Sequence, residues 1–419
     1  MHDISPPLRN WAGNLTYGPT RLHRPTTLDE LRRTVSGSPR IRALGTGHSF
    51  SRAADTTAEL VRLDRMPDTV RIDAAAGTVE VSAGTTYAHL ASRLHPAGFA
   101  LANLASLPHI SVAGSCSTGT HGSGETQRSL AAAVRAVQLV GADGDLVELD
   151  RDRDPAGFPG AVVALGALGI VTRLTLDIEP AYEVAQRVRL DVPLDEITAR
   201  LDEVFAAAYS VSVFTSWRTG RASVFLKRRT DRPAGTWAGG HAATAPVHPV
   251  PEQPADNCTE QGDRPGPWHE RLPHFRPEYV PGSGVELQSE YFLPRESAAA
   301  AITALRGLAD MMAPVLQISE LRAVRGDELW LSPAYGRDTV TVHFTWVDDL
   351  AAVTPVIEAV EERLRPFQPR PHWGKLTRMR PDEIVAAYPR ATDFAKLVET
   401  MDPDGTFGNA FVEALFPRV

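Results

Sequence analysis

Along the first 180 residues the apolar positions fall in short runs that glycine interrupts, and the period of the runs changes repeatedly. Ile41 to Phe50, IRALGTGHSF, is an apolar run that stops at two glycines and then presents His48 and Ser49, which predicts a strand feeding a tight loop. Val70 to Gly84 alternates apolar and polar residues on both sides of a central AAAG, the pattern of an antiparallel hairpin. From Thr85 to Gly98, Tyr87, Leu90, Ala91 and Leu94 make one apolar stripe between a threonine start and a Pro-Ala-Gly stop, so a short amphipathic helix is predicted. Leu107 to Gly124, LPHISVAGSCSTGTHGSG, is so poor in large side chains that it reads as irregular backbone meant to approach another group closely. A second hairpin is expected around Asp143-Gly144, within Arg135 to Asp150. Val162 to Pro180 reads as a small-residue helix running into a strand. No long parallel βαβ series emerges, so this part is α+β rather than doubly wound.

Past Pro180 the texture changes. Strand-like VAQRVRL and Ser210 to Trp217 flank a helix predicted near Leu194 to Ala208, and VFLKRR closes the group at Arg229. Ten prolines between Pro233 and Pro281 forbid a long helix or an inner strand there. Because the same stretch carries Trp237, Trp268, Phe275 and Tyr279, it is expected to be an ordered, irregular excursion that packs. Then come a VELQSEYFL strand, an ESAAAAITALRGLADMM helix, VLQISELRAV and TVTVHFTWV strands and an LAAVTPVIEAVEERL helix: a second α+β domain with an antiparallel sheet. His372 to Val419 has too little apolar periodicity to stand alone and should dock on another part.

Composition narrows the function classes. At roughly 150 residues per domain, 419 residues predict two or three domains. With 43 Lys and Arg against 51 Asp and Glu, and no basic block, nucleic acid is not an expected partner. No apolar run approaches a membrane span and the first residues lack signal-peptide character, so a cytoplasmic protein is expected. Two cysteines, Cys116 and Cys258, are too few for a disulfide scaffold or a cysteine-based zinc site.

The loop Gly45-Thr46-Gly47-His48-Ser49 is not a dinucleotide fingerprint, since Phe50 stands where the third glycine belongs. Its glycines still suit a nest of backbone N–H groups, and Ser117 to Gly124 offers a second nest; two in one domain favour a bound phosphate. His48 reads either as a satisfied loop histidine or as a nucleophile over a cofactor. His89 with His95, and His109 with His121, lack metal-ligand spacing, and no metal is predicted. On the strands, Ile318, Glu320 and Arg322 share one face, as do Thr341, His343 and Thr345. Either strand alone is ordinarily the wet side of a half-covered sheet. Together they offer donors and acceptors suited to a polyhydroxylated ligand. Lys375, beside Trp373, is by default a surface charge.

At GTGHSF, ASLPHISVAGSCSTGTHGSG and GALGIVTRLTLDIEPAYE, and through NWAGNLTYG, FLKRRTDRP, NCTEQ, PGPWHERLPHF, WLSPAYGRDTV, HFTWV and RPHWGK, the chain resembles the bacterial alditol (xylitol) oxidases of the vanillyl-alcohol-oxidase flavoprotein superfamily. The resemblance covers nearly the whole chain. It implies a two-domain α+β flavoprotein: a PCMH-type FAD-binding domain over residues 1–180, a substrate-binding cap over 181–370, and a C-terminal segment, 371–419, returning to the first. It further implies FAD held covalently through His48, with Leu44, Gly45, Thr46, Gly47, Ser49, Ser106, Ser111, Gly114, Thr118, Gly119, Thr120, His121, Val171 and Asn409 along it. Ser106, Glu320, Arg322, His343, Thr345 and Lys375 would bind substrate, with Lys375, Glu320 and Arg322 catalytic. In bicovalent relatives the cysteine precedes the Val-Ala-Gly-like turn, whereas Cys116 follows Gly114, so it is read as a small buried residue rather than a second flavin link. The implied activity is oxidation of a terminal alditol hydroxyl, as in xylitol or sorbitol, to the aldose with reduction of O2 to hydrogen peroxide, by a monomer. An aldonolactone oxidoreductase, a polyol dehydrogenase and a non-catalytic sugar-binding flavoprotein are the competing readings.

Overall fold

A computed structural model describes residues 7–233, 235–279 and 285–418. Two sheets build the first part. Arg21–His23, Glu59–Val61 and Ile41–Ala43 form a small all-parallel sheet in that order. A five-stranded antiparallel sheet runs Val70–Asp73, Thr78–Ser82, Ile170–Asp177, Val134–Val140, Leu146–Asp150, so both predicted hairpins are present. The predicted helix is Tyr87–Leu94, with the Thr86 hydroxyl accepting from the His89 amide and Gly98 left-handed at its far end.

Two expectations about this first part need correction. Val162 to Gly169 is not a helix: it is a buried series of turns with positive φ at Leu165, Gly166 and Gly169, and only Phe158–Ala161 before it is helical. Its small residues serve tight turning rather than helix packing. Conversely, the glycine-rich stretch after Leu107 contains a short helix, Val112–Ser117, which Ser111 joins to the loop at Gly45.

The second part is one large antiparallel sheet whose central order is Glu183–Pro193, Arg221–Arg229, Ser210–Thr215, Leu316–Val324, Thr339–Trp346, Leu287–Pro294. One face is apolar. Val211, Val213, Leu321, Val342, Phe344 and Trp346 pack under Leu194–Ala199, Leu201–Phe205, Ala298–Arg306 and Leu350–Leu364. The predicted single helices at 194–208 and 296–312 are each broken in two, at Arg200 and at Gly307–Leu308. Arg370–Pro371 adds a short edge strand to Leu287–Pro294.

The proline-rich excursion packs, as its aromatics predict. Trp237, Trp268 and Phe275 are buried, while Tyr279 is exposed and corrects that part of the expectation. Ala234, Val280 and Pro281 of it lie outside the described residues. In the tail, Ile384, Tyr388, Phe394, Val398 and Val412 join the core that contains Val79, Leu90 and Val137.

Candidate active site

The two glycine loops, far apart in sequence, meet at one hydroxyl. A Cβ on either Gly45 or Gly114 would lie 2.8 Å from Ser111 Oγ, and the Ser111 amide donates to Thr46 Oγ1 at 3.4 Å. Any side chain at those two positions would displace Ser111, so glycine lets the two segments pack this closely. Both loops line one cleft with a cavity volume of about 330 Å³, within the range of small-molecule sites. His48 stands in it, stacked on Trp11 with ring centroids 5.5 Å apart and with Nδ1 3.0 Å from Thr46 Oγ1. Burial, with His109 acting in the same direction, pushes its imidazole down to about 4, so the ring is neutral at working pH. The Tyr17 hydroxyl, 4% exposed, also lines the cleft and has no hydrogen-bond partner. An extended ligand rich in acceptors fits that combination of bare backbone, orphan hydroxyl and neutral imidazole.

The other end of the cleft is the polar face of the large sheet. In register, Glu320 opposes His343, Arg322 opposes Thr341 and Ile318 opposes Thr345, so the two strand faces read from sequence are one surface. It is not solvated. Glu320, Arg322, His343 and Thr345 are all under 8% exposed, because the surface is closed over by the glycine loops and the proline-rich excursion.

A residue missed from sequence completes it. Glu290, fully buried, lies opposite His343 on the neighbouring strand Leu287–Pro294. Its carboxylate accepts from Lys375 Nζ at 2.6 Å, Arg322 Nη2 at 3.0 Å and His121 Nε2 at 3.1 Å. Although burial opposes ionisation, Lys375, His121 and Arg322 together hold it well below the usual carboxylate range. The signal was present: QSEYF alternates Gln288, Glu290 and Phe292 on one face against Ser289 and Tyr291 on the other. His274, in the proline-rich excursion, was missed too. Its Nε2 meets Glu320 Oε1 at 3.1 Å.

Lys375 is no surface charge. Its turn hangs from Arg370–Pro371, where the His372 amide donates to the Glu290 carbonyl at 2.9 Å and the Lys375 amide to the His372 carbonyl at 3.0 Å. The turn also touches the histidine loop, since the Phe50 amide donates to the Gly374 carbonyl at 2.7 Å. Ser106 joins the two ends: its hydroxyl accepts from Arg322 Nη1 at 3.4 Å and its carbonyl from the His274 amide at 3.1 Å.

Leu44, Thr46, Gly47, Ser49, Thr118, Thr120, His121 and Val171 also line the cleft. Gly119 and Asn409 do not. Gly119 has a φ of +67° and faces Pro333, where a Cβ would lie 2.8 Å from the ring, so packing explains it. Asn409 caps Ala410–Leu415 through Oδ1 and spends its amide on the carbonyls of Arg52, Ala53 and Asp55. Cys116 is buried in the core against Tyr87 and does not line the cleft. Among the described residues no group of three or more His, Cys, Asp or Glu is arranged to hold a metal, and no helix is long and apolar enough to cross a membrane.

A family described as an FAD binding domain is matched by residues 19–150, and one described as D-arabinono-1,4-lactone oxidase by residues 286–415. The chain is 50% identical to an alditol oxidase of a Streptomyces species over 98% of its own length and 99% of that protein's. It is 26% identical to the L-gulonolactone oxidase of Scyliorhinus torazame over 97% of each chain. Its fold matches the crystal structure of cholesterol oxidase from B. sterolicum with a TM-score of 0.75 at 14% identity, over 98% of this chain and 96% of that one.

Glu290→Gln leaves Lys375 and Arg322 without their shared anion. The expected cost is about 3–5 kcal/mol of stability, read as a lower thermal midpoint with the flavin absorbance retained in the folded fraction. Stability should also fall as pH falls. His274 is pushed to about 4 and His343 to about 3, so below 6.5 the unfolded chain takes up protons that the folded chain refuses. Glu290 and Glu320 are depressed, and their contribution is lost as pH falls through and below the ordinary carboxylate range. A thermal midpoint that drops steadily from pH 6.5 to 4 is the expected result; a flat midpoint over that window would contradict this account.

Proposed function

The chain belongs to the alditol oxidase family of FAD-dependent oxidoreductases, and we propose that it oxidises the terminal hydroxyl of xylitol- or sorbitol-type alditols to the aldose, with O2 reduced to hydrogen peroxide. One observation carries this reading: a single cleft is lined at one end by bare glycine backbone and at the other by a buried sheet face of Glu, Arg, His and Thr. When bound, FAD supplies the redox chemistry, accepting hydride from the carbinol carbon and returning electrons to O2.

The side chains must bind, orient and deprotonate. Hydroxyl groups of the polyol are held by Ser106, His343 and Thr345; the His343 Nδ1 is buried without a protein partner and would be satisfied by one of them. Arg322 Nη1 and Lys375 Nζ face the reacting oxygen and stabilise the negative charge that grows on it. Burial and the neighbouring Arg322 lower Lys375 from its usual value despite the attraction of Glu290, the direction required of an amine that is to take the hydroxyl proton. The resulting ammonium then finds the Glu290 carboxylate already in hydrogen-bond range. Glu320 stays ionised beside Arg322 and accepts from a substrate hydroxyl. Water is excluded by the apolar rim of Phe214, Val250, Phe275 and Ile318.

His48 is proposed to carry FAD covalently at the 8α position, supported by its neutral imidazole and its stacking on Trp11. The protein is proposed to act as a cytoplasmic monomer, with a small polyol and O2 as its only partners; two free, buried cysteines suit a reducing compartment. An aldonolactone oxidoreductase is the second reading, favoured by the match of residues 286–415 to the D-arabinono-1,4-lactone oxidase family.

Anaerobic mixing with xylitol or sorbitol should bleach the flavin band, with air restoring it and one peroxide formed per turnover. Bleaching by aldonolactones but by no alditol would instead support the second reading. Acid precipitation should leave the yellow colour in the pellet, and His48→Ala should move it to the supernatant. Colour released from the unaltered protein would end the covalent assignment.

A further inference from the structure

Lys227 and His274 are buried titratable groups that the reaction above does not use. We propose that Lys227 fixes the tautomer of His274, and that the resulting Nε2–H donor holds Glu320 as an ionised acceptor at the substrate end of the cleft. Both are then positioning residues for polyol oxidation. The functional part of this rests on the reading of Glu320 as a substrate-site residue.

The argument begins with donor and acceptor counts. An ammonium has three N–H groups and no lone pair. Lys227, 1% exposed, directs Nζ at the carbonyls of Leu272 (2.5 Å) and Pro273 (3.0 Å) and at His274 Nδ1 (3.3 Å). Two of these partners can only accept, and facing the third N–H of a cation, Nδ1 must accept as well. The ring proton therefore sits on Nε2, which meets Glu320 Oε1 at 3.1 Å and Ser212 Oγ at 3.3 Å. The carriers are rigid. Lys227 sits in Arg221–Arg229 in register with Gln186 and Ser210, and the Pro273 carbonyl also accepts from Thr259 Oγ1 at 2.7 Å.

The charged and titratable groups facing this pair come from three elements. Lys227 is faced by Glu320 and Arg322 on the strand Leu316–Val324 and by His274 and Cys258 on the proline-rich excursion. Glu320 is faced by Arg322, His274 and, from Thr339–Trp346, His343. Burial outweighs the attraction of Glu320 and pushes Lys227 down to about 7. Above that pH the amine keeps two N–H groups for the two carbonyls and turns a lone pair toward His274. Nδ1 must then carry the proton, and Nε2 presents a lone pair to the Glu320 carboxylate. The hydrogen bond that positions Glu320 is lost; in net terms Lys227 releases one proton to solvent and the His274 ring proton moves from Nε2 to Nδ1.

The test uses flavin-loaded, 15N-histidine-labelled protein, with the His274 resonances assigned by His274→Gln. At about pH 6 the nitrogen shifts should report Nε2–H with a bare Nδ1, and at about pH 8.5 the Nδ1–H form; Lys227→Met should abolish this pH dependence. An Nδ1–H tautomer at the lower pH, or an unchanged titration in Lys227→Met, overturns the proposal. In kinetics, kcat/KM for xylitol should fall as pH rises through 7. Lys227→Met should remove that limb and lower kcat/KM at pH 6 by about tenfold, mainly through KM, the loss expected for one hydrogen bond to a charged group. Lys227→Met/His274→Gln should be no slower than His274→Gln alone; penalties that multiply overturn the coupling. If Lys227→Met does not fold, His274→Gln alone should flatten the limb, and a retained limb overturns the proposal. Failure of xylitol to bleach the unaltered protein sinks the substrate reading, and the nitrogen shifts still decide the tautomer lock.

Discussion

Everything at the sheet end of the cleft depends on burying ions only in contact with opposite charge. Glu320, Arg322, Glu290 and Lys375 follow one another at 3.5, 3.0 and 2.6 Å. Each ion in that line would cost several kcal/mol if left alone in the interior. Alternation of sign is what allows the sheet to turn a polar face inward instead of toward water. It also fixes geometry, since Arg322 is held between two carboxylates and Lys375 Nζ is drawn to Glu290. The opposite face of the same strands carries the conventional apolar core under the helices, so each strand is buried on both sides for different reasons.

The glycine-loop end obeys a different constraint, close approach of backbone. The loop at Gly45, the short helix Val112–Ser117 and the turns at Leu165 to Gly169 crowd one another. Arg42 ties the last of these down, donating to the carbonyls of Leu165, Gly166, Ala53 and Phe407. The two ends are coupled through the Lys375 turn, which hydrogen-bonds the His48 loop, and through Ser106, whose carbonyl holds His274. The two ends of the cleft are therefore positioned by the same few contacts.

The legible features were those set by local periodicity. Both hairpins, the Tyr87–Leu94 helix, the alternating faces of Leu316–Val324 and Thr339–Trp346 and the packing of the proline-rich excursion follow from patterns a few residues long. The turns at Val162 to Gly169 misled because alanine, leucine and glycine suit a helix locally. At Leu165 and Gly166, positive φ goes with the distant contacts of Arg42 and Ser117. Resemblance supplied Lys375, whose neighbours in sequence say nothing of burial. It also supplied Gly119 and Asn409, which do not line the cleft.

By itself, then, the sequence determined which residues share a strand face, where backbone is stripped of side chains and that a carboxylate and a guanidinium stand side by side. Tertiary structure decided the rest. Glu290 and His274 became part of the site because strand register and the excursion carry them to His343 and Glu320 from 30 and 46 residues away from Glu320 in sequence. Whether a polar strand face is wet or buried is a property of what covers it, and that cover is built from distant segments. No local period encodes such a meeting, because burial energy is set by the assembled neighbours and not by the residue's own place in the chain.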